Sequence, residues 1–213
     1  MEIIENEYKN NVEKQVYLND LKKIIVSTCE VIEETYFYDE MLNLDVNLYK
    51  KQLNLFWQGK ESNHNICEIG FTTGHSVMLM LLGRSKLPLN FTIFSNQFKP
   101  SIESCLKYLK EKFSYVNFEL LERNSIIVIP ERLLGIYDIV HVNSSQTEDS
   151  IVNDLKNADL LVKVNGIIIV NNTNIKYINN NVNSFILSGK YIQLNVFDTF
   201  KYTKSHRIIK KIK

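Results

Sequence analysis

Cys67-Glu68-Ile69-Gly70-Phe71-Thr72-Thr73-Gly74-His75-Ser76 (CEIGFTTGHS, residues 67–76) is the stretch whose reading decides the fold. An apolar run, Ile66–Ile69, stops at a glycine, and a second glycine four residues on precedes the apolar run His75–Leu82. This is the pattern of a buried strand, a tight turn and a helix. Gly70 and Gly74 let the backbone pass close to a ligand, and Ser76 is placed to help cap the helix. The spacing differs from the dinucleotide fingerprint G-x-G-x-x-G, and no G-K-[ST] follows to cradle a triphosphate. Taken alone, one glycine turn leaves its ligand open.

Outward from this turn the chain alternates strands and helices. Ile66–Ile69, Asn90–Phe94, Val116–Leu121, Tyr137–Val142 and Gly166–Val170 read as strands. His75–Leu82, Pro100–Phe113, Ser125–Leu133 and Thr147–Val162 read as the helices between them. The strands are short, β-branched and almost wholly apolar, as in a parallel sheet covered on both faces. Repeated β-α units predict an α/β, doubly wound, Rossmann-like sheet. A helix over Lys176–Ser188 leads to Tyr191–Phe197 and Ser205–Ile212, a closing pair of strands. Before residue 60 no strand is evident. Val12, Val16, Leu21, Ile24, Thr28, Val31 and Ile32 predict an amphipathic helix interrupted near Asn19-Asp20, and Asn47–Gln58 predicts another. The expected organisation is a helical cap over residues 1–60 and an α/β domain over residues 61–213.

Composition narrows the class. The chain has 213 residues, 45% hydrophobic and 23% charged, enough for one well-buried domain with appendages. No run is long and apolar enough to span a bilayer, and the acidic start Met1-Glu2-Ile3-Ile4-Glu5 lacks the basic flank of a signal peptide. Three cysteines without paired spacing argue against a disulfide framework, and Cys67 reads as a small buried residue. The expectation is a soluble intracellular protein. A formal charge of +1 argues against nucleic-acid binding by bulk electrostatics. Asn179-Asn180-Asn181 reads as a polar loop or helix end, and Tyr36-Phe37-Tyr38 as packing. No His/Cys cluster has zinc spacing, and no nucleophile elbow is present.

The segment Glu68 to Ser76 resembles motif I of class I S-adenosylmethionine-dependent methyltransferases. Tyr137 to Asn174, YDIVHVNSSQTEDSIVNDLKNADLLVKVNGIIIVNNTN, is similar to a segment of their small-molecule O-methyltransferase-like branch. The resemblance covers about Lys50 to Lys213. It implies seven strands, the last two forming an antiparallel hairpin, under a substrate-covering helical cap. It implies S-adenosylmethionine as cofactor, held by Glu68, Gly70, Phe71, Thr72, Gly74, His75 and Ser76, with Ser95, Asn124, Ser125 and Asn143 on the other walls.

The family's acids are missing at every downstream position. The ribose-gripping acid aligns with Ser95 or Asn96, the adenine-side acid with Asn124, and the I-D-G aspartate with Asn143. The histidine after it aligns with Gln146, and the paired D-D with Asn171-Asn172. Asn124 can still accept from an adenine amino group. Ser95 cannot accept two hydroxyl protons at once, which weakens binding by about ten- to hundred-fold. Neutral amides are poor ligands for Mg²⁺, so no metal is expected. Methyl transfer needs mainly in-line placement of a nucleophile, and a metal-free reaction on a small or sugar-like acceptor stays open. A catalytically inactive accessory or scaffold subunit is the alternative, with RNA methylation a third.

Catalytic residues are not identifiable from the pattern. His141 reads as a core histidine with one satisfied nitrogen, His75 as a ligand contact or a packing group, and Asp138 as structural. Glu148 and Asp149 suit the first turn of a helix. The basic end, Lys201 to Lys213, reads as a closing strand whose lysines are solvated and deter edge pairing. The partner is a small acceptor or another protein, and homo-oligomerisation stays open.

Overall fold

The computed structural model describes residues 2–28, 46–61, 64–84, 86–95, 99–122, 129–143, 147–194 and 206–213. The N-terminal helices are α1 (Glu2–Lys9), α2 (Val12–Ser27) and α3 (Val46–Glu61). Then come β1 (Asn65–Ile69), α4 (His75–Leu82), β2 (Leu89–Ser95), α5 (Pro100–Lys112) and β3 (Val116–Glu122). After a 3₁₀ turn at Glu131–Leu133 follow β4 (Tyr137–Val142), α6 (Glu148–Leu161), β5 (Val162–Asn171), α7 (Lys176–Leu187), β6 (Tyr191–Leu194) and β7 (His206–Lys211). The predicted Tyr36-Phe37-Tyr38 packing and the positions Asn96, Asn124, Ser125 and Gln146 lie outside the described residues.

The seven strands form one sheet in the order β3-β2-β1-β4-β5-β7-β6. The first five are parallel, and β7 runs antiparallel between β5 and β6. Alternation along each strand divides the core. Ile66, Phe91, Ile93, Ile139, Ile169 and Ile208 face a core shared with α1 to α5. Cys67, Ile69, Val140, Val142, Ile168 and Ile209 face the core of α6 and α7. The order reverses between β1 and β4, so a crevice opens beyond their carboxyl ends, next to Gly70.

Several expectations are corrected. Helix α2 runs unbroken through Asn19-Asp20, where Asp20 accepts a bond from the Tyr108 hydroxyl of α5 and pairs with Lys23. Its buried stripe is Lys14, Leu18, Leu21 and Ile25, while Val12 and Val16 are exposed. Hydrophobicity concealed that stripe because it contains a lysine: Lys14 Nζ donates to the Tyr8 carbonyl and lies 4.0 Å above the Tyr8 ring. The described part of Ser125–Leu133 holds only the 3₁₀ turn, which starts after Pro130. The Asn179-Asn180-Asn181 run, expected as a polar loop or helix end, begins in the first turn of α7, where Asn179 and Asn183, one turn apart, accept bonds from the buried Arg207 guanidinium. Strand β7 is not the edge: Lys211 is tied to Asp159 of α6, and β6 forms the margin. Among the described residues no helix is long and apolar enough to cross a membrane.

Helix α3 seats on α4 by backbone contact. A Cβ on Gly59 would fall 2.6 Å from the Met80 carbonyl carbon, and one on Gly83 would fall 2.7 Å from that of Phe56. These backbone atoms cannot swing aside as a side chain could. Gly59→Ala is therefore expected to force the helices apart and cost about 3 kcal/mol or more, read as a lower urea midpoint in equilibrium unfolding.

Candidate ligand site at the carboxyl ends of the strands

At the end of β1 the backbone turns at Gly70 (φ 91°) and again at Gly74 (φ 76°), the residue that precedes α4. Both angles lie in the left-handed region, where a side chain would be strained. The turn is pinned on either side: the Gly70 N–H donates to the Phe94 carbonyl of β2, and the Asn143 N–H donates to the Ile69 carbonyl, each at 2.9 Å. A side chain on Gly74 would also strike Leu109 Cδ1 at 2.9 Å and Phe71 Cζ at 3.2 Å. The turn is thus held in place at the strand-order switch point between β1 and β4.

The predicted site residues separate into two groups. Thr72 is exposed, and Gly70 and Asn143, at the carboxyl ends of β1 and β4, are half-buried. Glu68, Phe71, Gly74, His75, Ser76 and Ser95 are buried. The Ser76 hydroxyl is bonded to the Glu68 carboxylate, 2.8 Å from Oε1 and 2.7 Å from Oε2, where it ties α4 to β1. Glu68 also lies beside its register partner His141, with Nδ1 3.0 Å from Oε2. His141 is thus the core histidine that its strand position predicts.

His75 is only 1% exposed. Its Nδ1 is 2.7 Å from the Thr73 hydroxyl. Burial lowers its pKa from 6.5 to about 4, although a hydrogen bond with the Leu18 backbone pulls the other way. Burial keeps the ring neutral at physiological pH.

Three residues that escaped the sequence reading complete the polar floor. His206, on β7 opposite Asn171, lies with its ring 6.0 Å from that of His141 and its Nδ1 3.4 Å from Asn54 Nδ2. Burial, then the nearby His141 and Lys51, hold its pKa well below the ordinary range. Lys51 of α3 donates to Asn171 Oδ1 at 2.7 Å, and Asn171 Nδ2 donates to Asn143 Oδ1 at 2.8 Å. No spacing signal links residues 51, 54, 143, 171 and 206; only the placement of α3 over the sheet brings them together.

Asp138, by contrast, lies at the amino end of β4. Its Oδ2 accepts from the backbone N–H groups of His64 and Asn65, and Lys163 pairs with Oδ1. Burial pushes its pKa up, but these bonds outweigh it and hold the group low. It is structural, as expected. Glu148 and Asp149 occupy the first turn of α6.

No family model and no curated protein matches the chain. Solved structures do. A SAH-bound methyltransferase, PaMTH1, from Podospora anserina superposes with a TM-score of 0.58 at 14% identity, covering 91% of this chain and 88% of its own. A methyltransferase from Geobacter sulfurreducens superposes with a TM-score of 0.61 at 9% identity, covering 92% and 89% respectively. The fold is the class I methyltransferase fold. The parallel core, the antiparallel closing hairpin and the glycine turn at the switch point all agree with the family resemblance of the sequence.

The buried histidine gives a pH test. Between pH 6.5 and about 4 the unfolded chain takes up a proton that His75 refuses in the folded state. Stability is therefore greatest above pH 6.5 and falls as the pH drops through that window, with about 3 kcal/mol at stake for this group. His75→Gln should flatten the pH dependence of the urea midpoint by one proton's worth.

Proposed function

We propose that the protein binds S-adenosylmethionine at the Gly70–Gly74 turn and transfers its methyl group, without a metal, to a small or sugar-like acceptor. The observation that carries this reading is the turn itself. Two left-handed glycines lie at the strand-order switch point, braced by β2 and β4. The SAH-bound fold neighbour and the motif I resemblance support the choice of ligand. On this reading Gly70, Thr72 and Asn143 touch the cofactor, while Glu68, Ser76 and His75 keep the turn in shape. The chemistry required of the protein is placement: sulfur, methyl carbon and attacking atom in line.

One observation favours the second reading, a methyltransferase-fold protein that has lost turnover and serves as an accessory subunit. The ribose-gripping acid aligns with Ser95 or Asn96, both uncharged, and Ser95 is 2% exposed. Isothermal titration with S-adenosylhomocysteine separates the two. Saturable binding in the micromolar to sub-millimolar range, abolished by Gly70→Arg, is the expected result. Absence of heat and of any thermal shift at millimolar ligand would defeat the enzyme reading.

A further inference from the structure

The two edges of the sheet differ in charge. Edge strand β3 carries Glu119 at its centre and Glu122 at its end, and charges on an edge deter pairing with another chain. Edge strand β6, Tyr191-Ile192-Gln193-Leu194, carries none, and Ile192 is 44% exposed. The Ile212 N–H donates to the Lys190 carbonyl, which makes Lys190 and Ile212 a hydrogen-bonded pair continuing the β6–β7 ladder. Such pairs alternate along an antiparallel ladder. Ile192 and Leu194 therefore turn their backbone groups toward β7, and Tyr191 and Gln193 turn theirs outward from the sheet. Helix α7 is fixed to this margin. Arg207 of β7 donates to Gln193 of β6 and to Asn179 and Asn183 of α7, and the ring centroids of Phe185 and Tyr191 are 5.4 Å apart. From Tyr177 to Gly189 there is no charged residue, although 23% of the chain is charged. The exposed stripe of α7, Asn180, Ser184 and Leu187, is thus neutral, and Leu187 is 85% exposed.

We propose that two copies of this chain join edge to edge through β6, about a two-fold axis at Ile192, into one continuous sheet. Antiparallel pairing about that residue sets Tyr191 of each copy opposite Gln193 of the other. The outward N–H and C=O groups of both residues then exchange hydrogen bonds. Ile192 meets its own copy as a non-hydrogen-bonded pair, the kind that brings side chains closest. No like charges oppose each other: Lys190 stands across from Leu194 of the other copy, and Lys210 is set back one strand. The helix layer fits the same arrangement. Because α7 touches both β7 and β6, its axis and that of its copy stand about two strand spacings apart, roughly 10 Å. Helices pack at about 8–10 Å. A second copy therefore brings a helix alongside α7, whereas a lone extended peptide would pair the edge and leave the neutral stripe in water. Depletion of charge is the compositional mark of an interface core. The surface contains no residue of the glycine turn, so it stands apart from the cofactor reading.

Sedimentation velocity on the full chain provides the test, and a dimer that dissociates on dilution is expected. Ile192→Lys sets two ammonium groups face to face across the axis and should raise the dissociation constant by at least about tenfold. Its far-ultraviolet circular dichroism should not change, because the side chain replaced is an exposed one. Mixing Ile192→Lys with Ile192→Glu should restore a dimer, now a salt-sensitive one, since only a two-fold axis at this residue sets the two charges opposite each other. On oxidation Ile192→Cys should form a disulfide-linked dimer, because a non-hydrogen-bonded pair has the Cα separation a disulfide accepts. Lys190→Cys and the unaltered protein should not. Should Ile192→Lys fail to melt cooperatively, the cysteine variants decide the question. Monomers at every concentration up to about 0.1 mM, a dimer that Ile192→Lys leaves intact, opposite charges that do not restore pairing, or cross-linking through Lys190→Cys in place of Ile192→Cys would each overturn the proposal. None of these readouts depends on S-adenosylhomocysteine, so failure of the cofactor reading would register separately.

Discussion

A carboxylate with no solvent exposure sits at the centre of the molecule, and the site is arranged around its needs. Glu68 cannot be left in an apolar core without partners, because removing one would leave a buried polar group unsatisfied at a cost of about 1–3 kcal/mol. Its partners come from two elements: the Ser76 hydroxyl from α4 and the His141 ring from β4. Satisfying Glu68 therefore fixes where the helix begins relative to the strand before it, and hence the shape of the turn between them. The left-handed angles at Gly70 and Gly74 are the backbone's way of meeting that geometry within a few residues.

The same polar file explains why the N-terminal helices belong to the site's architecture. His141 leads to His206, and His206 to Asn54 of α3, so the buried polarity continues from the sheet into the helical layer. Glycines at the α3–α4 contact allow the close approach that places Lys51 over β4 and β5. Packing and polar satisfaction work together here: without the backbone contact, the lysine would not reach the asparagine pair.

Most of the α/β architecture was legible in the chain because buried parallel strands and amphipathic helices carry their periodicity locally. The limits of β4 and of α4 coincide with the expected ones. One misreading comes from a polar residue doing a core residue's job: Lys14 occupies the buried stripe of α2. Hydrophobicity patterns cannot anticipate such satisfied polar groups, since the satisfaction comes from partners remote in sequence.

The sequence by itself determined the fold class, the glycine turn and the neutral residues at Ser95, Asn143, Asn171 and Asn172, for each is a matter of residue type at a local spacing. Tertiary structure alone decided which of the turn's residues are exposed and which are buried, because burial depends on what packs against each side. It also decided that Lys51 meets Asn171 across 120 residues of chain. That meeting depends on how α3 crosses the sheet, a property of packed surfaces that no run of consecutive residues contains.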